Sequence, residues 1–217
     1  MANSTEARTA ILSSIRSALR SSMDAAGIAD EYAAIPRTYK RAGTLGRDAL
    51  LDLFAHRLGE YDAGVSRCSV EKISEEIAMI LGTRGRTKIV VPGGLPERWL
   101  PEGFDFEDGT HFDDYQLDRM DGVLTGCTVA IAETGSIVLQ NAAAQGPRIL
   151  SLVPDYHLCV VFAEQVVETV PESFAQLDAM STLPTTFFSG PSATADIEMT
   201  RIKGVHGPRF LDVVLVV

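Results

Sequence analysis

The sequence predicts an α/β fold with a mostly parallel, partly mixed sheet, and three observations support this prediction. Short apolar runs typical of strands alternate with amphipathic helical segments along most of the chain. A strand–helix–strand unit of the βαβ kind occupies residues 64–91. Several strands are near-continuous apolar runs, as expected for strands that are covered on both faces. Together these features favour a sheet with helices packed against it.

Length and charge limit the class of protein. The chain has 217 residues, of which 46% are hydrophobic and 22% are charged, a balance typical of a globular domain with a full core. Its net charge of −10 argues against a surface for DNA or RNA, because such a surface needs clustered Lys and Arg. A local basic pocket for a small anionic ligand remains compatible with this charge. No apolar run approaches the roughly 20 residues that a membrane-spanning helix needs.

The cysteines predict neither a metal site nor a cluster in this chain. They are few and distant in sequence, at Cys68, Cys127 and Cys159, and no C-x-x-C motif occurs. Iron–sulfur clusters and structural zinc sites need more closely grouped thiolates. Each cysteine lies beside apolar or β-branched residues, so we expect all three to be small buried hydrophobes. Their sparse, odd number is typical of a protein of the reducing cytoplasm.

The chain is predicted to divide into an N-terminal arm, residues 1–46, and an α/β domain, residues 47–217. The arm begins with an amphipathic helix to about Ser21, whose apolar stripe consists of Leu12, Ile15 and Leu19. Docking on the domain or on another copy of the chain would bury this stripe, and the second case gives a homo-oligomer. Residues 22–46 contain three glycines, a proline and few apolar residues, which predicts a linker.

The domain is predicted to hold the following elements in order: a helix over 47–58, a strand over 64–68, a helix over 70–81, a strand over 88–91, a hairpin over 129–139, strands over 148–153 and 157–162, short helical pieces over 166–170 and 173–180, and strands over 185–188 and 213–217. Between the second strand and the hairpin, residues 92–122 are strongly acidic. Their spacing matches no EF-hand loop, so a solvated surface anchored by Trp99 is expected.

The turn of the hairpin is the first candidate site. Glu133, Thr134, Gly135 and Ser136 place a carboxylate, two hydroxyls and a glycine where strands end, which is where open α/β sheets usually bind ligands. The alternative is an ordinary polar turn that only joins the two strands.

A second candidate site begins where the strand over 185–188 ends. Gly190 and Pro191 force a turn there, and hydroxyls and carboxylates follow at Ser192, Thr194, Asp196 and Glu198. A helix starting in this segment would offer its positive end to an anion, whereas an extended segment would put Asp196 and Glu198 on one side. Helix capping by Ser192 and a salt bridge from Asp196 explain the same residues structurally.

A third candidate site is His206, which lies between Gly204 and Gly207. Bends at the glycines would bring the backbone close to whatever the imidazole faces, and histidine is the side chain best able to exchange protons near neutral pH. A turn histidine bonded to a nearby carbonyl is the alternative. His157 heads an apolar strand and is interpreted as structural. The two common phosphate-binding loops, the nucleophile elbow and the H-E-x-x-H zinc motif are missing from the sequence.

The three stretches AETGSIVL, SGPSATADIE and GVHGPR together resemble the lactate-utilisation domain (LUD) family, and most closely its lactate utilisation protein C branch. The resemblance implies a NagB/RpiA/CoA-transferase-like three-layer sandwich. It also implies an accessory role in the oxidation of L-lactate to pyruvate with two iron–sulfur partner proteins. Because this chain lacks the cysteine motifs of a fused relative, the clusters are expected on those partners.

The resemblance carries over to a set of pocket candidates: Glu133, Thr134, Gly135, Gly190, Pro191, Ser192, Thr194, Asp196, Gly204, His206 and Gly207. One reading is the accessory subunit, with a small anionic ligand. The alternative is a free-standing acyl/CoA-transferase- or sugar-phosphate-isomerase-like enzyme, in which Glu133 is nucleophile or base and His206 donates a proton. Both readings require the three stretches to line one cleft.

Overall fold

The structure is a computed structural model, and it describes residues 4–19, 25–177, 182–194 and 202–217. The chain divides into two compact units, residues 1–39 and 40–217. This division lies before the predicted boundary at residue 46, because the intervening residues bond to the larger unit. The backbone N–H groups of Thr44 and Leu45 donate to the Glu168 carboxylate at 2.6 and 2.7 Å.

The smaller unit contains two helices, α1 (Ser4–Leu19) and α2 (Ala25–Ala34). The first agrees with the predicted helix. The second corrects the prediction of a linker over residues 22–46. Five of its ten residues are alanine, the best helix former, and they outweigh the single glycine. Within the described part of the chain, no helix is both long and apolar enough to cross a membrane.

The larger unit alternates helices and strands, as predicted. Its helices are α3 (Arg47–Glu60), α4 (Ile73–Arg84), α5 (Asp114–Asp118), α6 (Arg148–Leu152) and α7 (Val170–Leu177). Its strands are β1 (Gly64–Cys68), β2 (Lys88–Val91), β3 (Asp105–Asp108), β4 (Gly122–Thr125), β5 (Val129–Ile131), β6 (Ser136–Gln140), β7 (Tyr156–Phe162), β8 (Val166–Val167), β9 (Thr185–Phe188), β10 (Ala193–Thr194), β11 (Ile202–Lys203) and β12 (Phe210–Val216).

The strands form three sheets. The main sheet has six parallel strands in the order β1-β12-β7-β4-β2-β3. A second, mixed sheet has the order β8-β5-β6-β9, and β10 pairs with β11 in a small antiparallel ribbon. The predicted parallel and antiparallel pairings both occur: the main sheet is wholly parallel, and the second sheet combines the parallel pair β5–β8 with two antiparallel pairs. Strands β1 and β2 of the predicted βαβ unit are not neighbours, because three strands lie between them.

The two largest buried apolar clusters of the described residues lie on opposite faces of the main sheet. Successive side chains of β7 and β12 point to opposite faces. Val213 and Leu215 therefore pack with α3 and the second sheet, in a cluster that includes Phe54 and Ile137. Val214 and Val216 pack on the other face with Ile73, Ile77 and Leu81 of α4 and with Trp99. Trp99, which is 5% exposed, thus anchors the acidic segment as predicted.

Two predicted elements are wrong. Residues 148–153 form helix α6 rather than a strand, with Leu150 fully buried in a separate small cluster. A short apolar run is ambiguous between a strand and a buried helical turn, and here Gly146 (φ +67°) and Pro147 lead into a helix. The predicted helical piece over 166–170 is wrong at its start, because Val166 and Val167 form β8 and pair with β5. Helix α7 begins only at Val170.

Candidate functional site

The hairpin that carries the first candidate site forms as predicted, by antiparallel pairing of β5 and β6 with Ala130 opposite Ile137. Both strands are buried along their whole length. Gly135 closes the turn with φ +59°, a left-handed conformation that a side chain disfavours. A Cβ atom at this position would also lie 2.8 Å from the backbone carbonyl carbon of Arg57. The turn is therefore seated closely against α3.

Glu133 forms an ion pair that the sequence did not reveal. Its Oε1 lies 3.0 Å from Nζ of Lys40, and the same ammonium bonds to the Glu168 carboxylate. The Glu133 side chain is 40% exposed, whereas that of Glu168 is 5% exposed. The two carboxylates raise the pKa of Lys40, Glu168 most strongly. Glu133 is thus held beside a fixed positive charge.

Glu168 is the buried anchor of this arrangement. Its carboxylate accepts hydrogen bonds from Lys40 and from the backbone N–H groups of Leu45 and Thr44. These donors lower its pKa, with the Lys40 bond as the largest contribution. A single acidic residue in the apolar run Val166–Val170 is the sequence signal that could have identified it.

Three hydroxyls connect the hairpin to the end of β9. Thr134 Oγ1 lies 2.7 Å from Ser136 Oγ, and Ser136 Oγ lies 2.5 Å from Ser189 Oγ. The first and second candidate stretches are therefore in direct contact, as the interpretation of a shared site requires.

The second and third candidate stretches are joined around Ser192. Its Oγ accepts from the backbone N–H of His206 at 3.0 Å, and its carbonyl accepts from the N–H of Gly204 at 2.9 Å. Its own N–H donates to the carbonyl of Pro208 at 2.9 Å. Ser192 thus fixes the His206 loop rather than capping a helix. The segment is extended at Thr194, which pairs with Ile202, and Asp196 and Glu198 lie outside the described residues.

These stretches line two adjoining pockets rather than one cleft. The Arg148 pocket, of about 260 Å³, is lined by residues that include Arg148, Leu152, Phe188, Gly190, Ser192 and His206. The Glu133 pocket, of about 490 Å³, is lined by residues that include Arg57, Tyr61, Glu133, Thr134, Ser136 and Val170. Phe187 and Ser189 line both. Glu133 and His206, predicted to share a cleft, therefore lie in different pockets.

The end of strand β9 lies at the junction of the two pockets, since Phe187 and the following Ser189 line both. The Phe188 ring meets the His157 ring edge-on at 5.3 Å between centroids. The Phe187 ring instead packs against Phe174, at 5.9 Å. His157 is fully buried, and its Nε2 lies 2.8 Å from Thr125 Oγ1, which agrees with a structural role.

The electrostatics of the two pockets differ. Arg148 is the charged residue of its pocket, where none of the described lining residues is acidic. The other lining groups there include the imidazole of His206, hydroxyls and two phenylalanines. In the Glu133 pocket, Arg57 bonds to Glu60 at 2.9 Å and Lys40 pairs with Glu133, so its charges compensate. The Arg148 pocket is therefore the one suited to an anion.

Arg148 is not among the predicted site residues, because the apolar run over 148–153 predicts a strand. In α6 the buried Leu150 anchors the helix, and Arg148 and Leu152 line the pocket. Residues three or four apart share a helix face, so a helical prediction would have set Arg148 and Leu152 together. Among the residues described, no group of three or more His, Cys, Asp or Glu could hold a metal ion.

Comparison with known protein families gives one match that covers more than half of the chain. The family model described as LUD domain matches residues 99–216. This range includes all three candidate stretches and both Arg148 and Glu168, but it excludes Lys40.

Curated relatives and a solved structure extend the similarity. The chain is 44% identical over 181 residues to lactate utilization protein C of Deinococcus radiodurans, which covers 82% of this chain and 84% of that protein. It is 26% identical over 179 residues to lactate utilization protein C of Macrococcus caseolyticus, with 76% of each chain covered. A crystal structure of a DUF162 family protein from Deinococcus radiodurans matches with a TM-score of 0.70 at 38% identity, covering 80% of this chain and all of that one.

Proposed function

Because this chain belongs to the LUD domain family, we propose that it is an accessory subunit of an L-lactate-oxidising system that binds a small organic anion in the Arg148 pocket. The names of the relatives from Deinococcus and Macrococcus support a role in lactate utilisation. The α/β fold of the chain agrees with the family, while the closer likeness to NagB, RpiA and CoA transferases stays a prediction.

One observation carries the ligand proposal: a chain with a net charge of −10 presents a pocket whose described lining combines an arginine, a histidine and hydroxyls with no acidic residue. Arginine offers a planar pair of N–H donors that matches a carboxylate. The volume of about 260 Å³ lies below the range of about 300–1,000 Å³ typical of pockets for drug-sized ligands. A lactate- or pyruvate-sized anion is therefore the appropriate class.

The redox chemistry of lactate oxidation is proposed to reside on iron–sulfur partner proteins. The three cysteines of this chain are free thiols buried in the core, where they serve as packing groups. A cluster requires about four thiolate ligands at one place, more than the three cysteines of this chain supply. Reduced, buried thiols also support a cytoplasmic location.

A growth experiment tests this proposal. We expect a strain without the gene to lose growth on L-lactate, and a copy of the gene to restore it. A copy carrying Arg148→Gln should restore growth poorly, whereas Arg119→Gln, which lies outside the pocket, should restore it fully. The tagged protein should copurify with iron–sulfur proteins. Normal growth of the deletion strain on L-lactate would exclude the proposed role.

The geometry does not favour the alternative of an acyl-transfer or isomerase enzyme. In that reading Glu133 attacks or removes a proton and His206 protonates, which requires both groups at one substrate. They line different pockets, and Glu133 is paired with Lys40. Incubation with acyl-CoA donors and a search for an adduct on Glu133 by mass spectrometry remains the direct measurement for this alternative.

A further inference from the structure

The two pockets are connected by a chain of three hydroxyls. Thr134, Ser136 and Ser189 are linked by contacts of 2.7 and 2.5 Å between oxygens. Thr134 lies in the Glu133 pocket, and Ser189 lines both pockets. The middle residue, Ser136, is only 4% exposed, and its hydroxyl contacts the hydroxyls of both Thr134 and Ser189. The direction in which Ser136 donates its hydrogen bond therefore determines whether Thr134 or Ser189 can donate to a ligand.

Each hydroxyl carries one hydrogen and accepts through its lone pairs. Ser136 can thus donate toward Thr134 or toward Ser189, but not toward both. When Ser136 donates toward Thr134, the Ser189 hydroxyl donates its hydrogen bond to Ser136. When it donates toward Ser189, the Ser189 hydrogen is released and can point into the Arg148 pocket.

An anion beside Arg148 selects between these two states, because its carboxylate accepts hydrogen bonds and cannot donate them. It favours the direction in which Thr134 donates to Ser136 and Ser136 donates to Ser189. Hydrogen bonds in such a chain polarise one another, so the last donor is strengthened. A bond from a hydroxyl to an ionised group is also stronger than one between neutral groups.

We propose that Ser136 is a positioning residue, which holds the Ser189 hydroxyl as the donor to an organic anion in the Arg148 pocket. This inference rests on the anion-binding function proposed above. It adds a directional role for a buried serine that has no position in the Arg148 pocket itself. Ser189 would be the group in contact with the ligand, and Ser136 would act only through Ser189.

The test is a double-mutant cycle for binding of sodium pyruvate to the full chain, measured by titration calorimetry. We expect Ser189→Ala to weaken binding about three- to tenfold, the range for one hydrogen bond. Ser136→Ala should weaken it by a smaller factor, because Ser189 keeps its hydrogen but loses the donor that orients and polarises its hydroxyl. The double variant should bind no more weakly than Ser189→Ala alone, because Ser136 has no route to the anion without Ser189. Thermal unfolding of each variant checks that the fold is retained.

Ser173→Ala is the matched control. This serine is fully buried, and its hydroxyl donates to the Val170 carbonyl at 2.7 Å, so it measures the cost of removing a buried hydroxyl. It should leave pyruvate affinity unchanged. Wild-type affinity in Ser136→Ala, or losses that add in the double variant, would overturn the positioning role while leaving the proposed ligand intact. A wild-type chain that binds neither pyruvate nor L-lactate would overturn the proposed ligand and this inference together.

Discussion

At the scale of single residues, Gly135 is set by two constraints at once. Its φ of +59° favours glycine, and a Cβ atom would approach the backbone of Arg57 to 2.8 Å. The first constraint follows from the turn itself and could be predicted from the sequence. The second depends on α3, which comes to the turn from more than 70 residues away in the chain.

Replacing Gly135 by alanine should therefore destabilise the protein. Strain at a left-handed position costs about 1–3 kcal/mol, and the contact with α3 adds to it. For a domain of this size, each kcal/mol lowers the midpoint of thermal unfolding by about 2–4 °C. Gly59→Ala is the control, since it lies in α3 and its Cβ would have nothing within 4 Å. We expect the control to be neutral or stabilising; equal losses in both variants would contradict this account.

Glu168 should make stability depend on pH. Its pKa is lowered in the folded state, so its contribution is present above the pKa of the unfolded chain and is lost as pH falls through the folded value. Glu168→Gln should therefore lower the free energy of unfolding at pH 7, with the difference from wild type shrinking on acidification below about pH 4. Denaturant unfolding at several pH values measures this. Glu164→Gln, at an exposed carboxylate, is the matched control.

At the scale of elements, β12 is joined to α4 and β7 by one buried carboxylate. Asp212, 5% exposed, accepts two bonds at 2.7 Å from the Arg84 guanidinium and one at 2.9 Å from the Tyr156 hydroxyl. Burial, followed by the charge of Asp212, raises the pKa of Tyr156, which therefore stays protonated as a donor. The arrangement ties one helix and two strands at one end of the main sheet.

Asp212→Asn should reduce stability by about 1–3 kcal/mol, because it leaves the Arg84 charge without its partner. The effect is below that of a fully buried pair, since the Arg84 side chain is 37% exposed. Tyr156→Phe should cost about 1 kcal/mol, as it removes only one hydrogen bond. Chemical denaturation measures both. A loss in Tyr156→Phe larger than that in Asp212→Asn would show that Asp212 is not the centre of the contact.

Elements with a clear period or a marked turn were predictable, whereas two short, mostly apolar runs were not. The helical pattern of α4 and the two apolar runs that flank the glycine turn of the hairpin each agree with one structure only. The runs at 148–153 and 166–170 are short and mostly apolar, and such runs suit either state. Whether each run forms a helix or a strand depends on its neighbours in the structure. Helix α6 follows the turn at Gly146, and β8 pairs with the edge of β5.

At the scale of the whole molecule, the larger unit has two possible starting points, residue 40 from the structure and residue 47 from the sequence prediction, and residues 40–46 lie between them. Among the residues that the structure describes, the buried members of the apolar clusters all lie after residue 50, so a chain of residues 40–217 should keep its core. It also keeps Lys40 and the N–H groups that bind Glu168 and Glu172. A chain of residues 47–217 loses these donors and leaves the buried Glu168 carboxylate without them.

We expect the midpoint of thermal unfolding of residues 40–217 to lie within about 2 °C of that of the full chain. The midpoint of residues 47–217 should lie several degrees lower, because losing the donors to Glu168 and Glu172 costs at least about 1 kcal/mol of stability. Scanning calorimetry of the three chains measures this. Equal midpoints for the two shortened chains would favour the boundary at residue 46.

The sequence by itself determined the α/β class, the hairpin, the buried cysteines and the three stretches with family resemblance, because periodicity, glycine and composition act locally. Only the tertiary structure decided that Glu133 and His206 line different pockets, that Arg148 faces one of them and that Lys40 joins two carboxylates. These facts depend on which strands become neighbours and on where helix α6 packs. Long-range packing sets both, and no local pattern of residues encodes them.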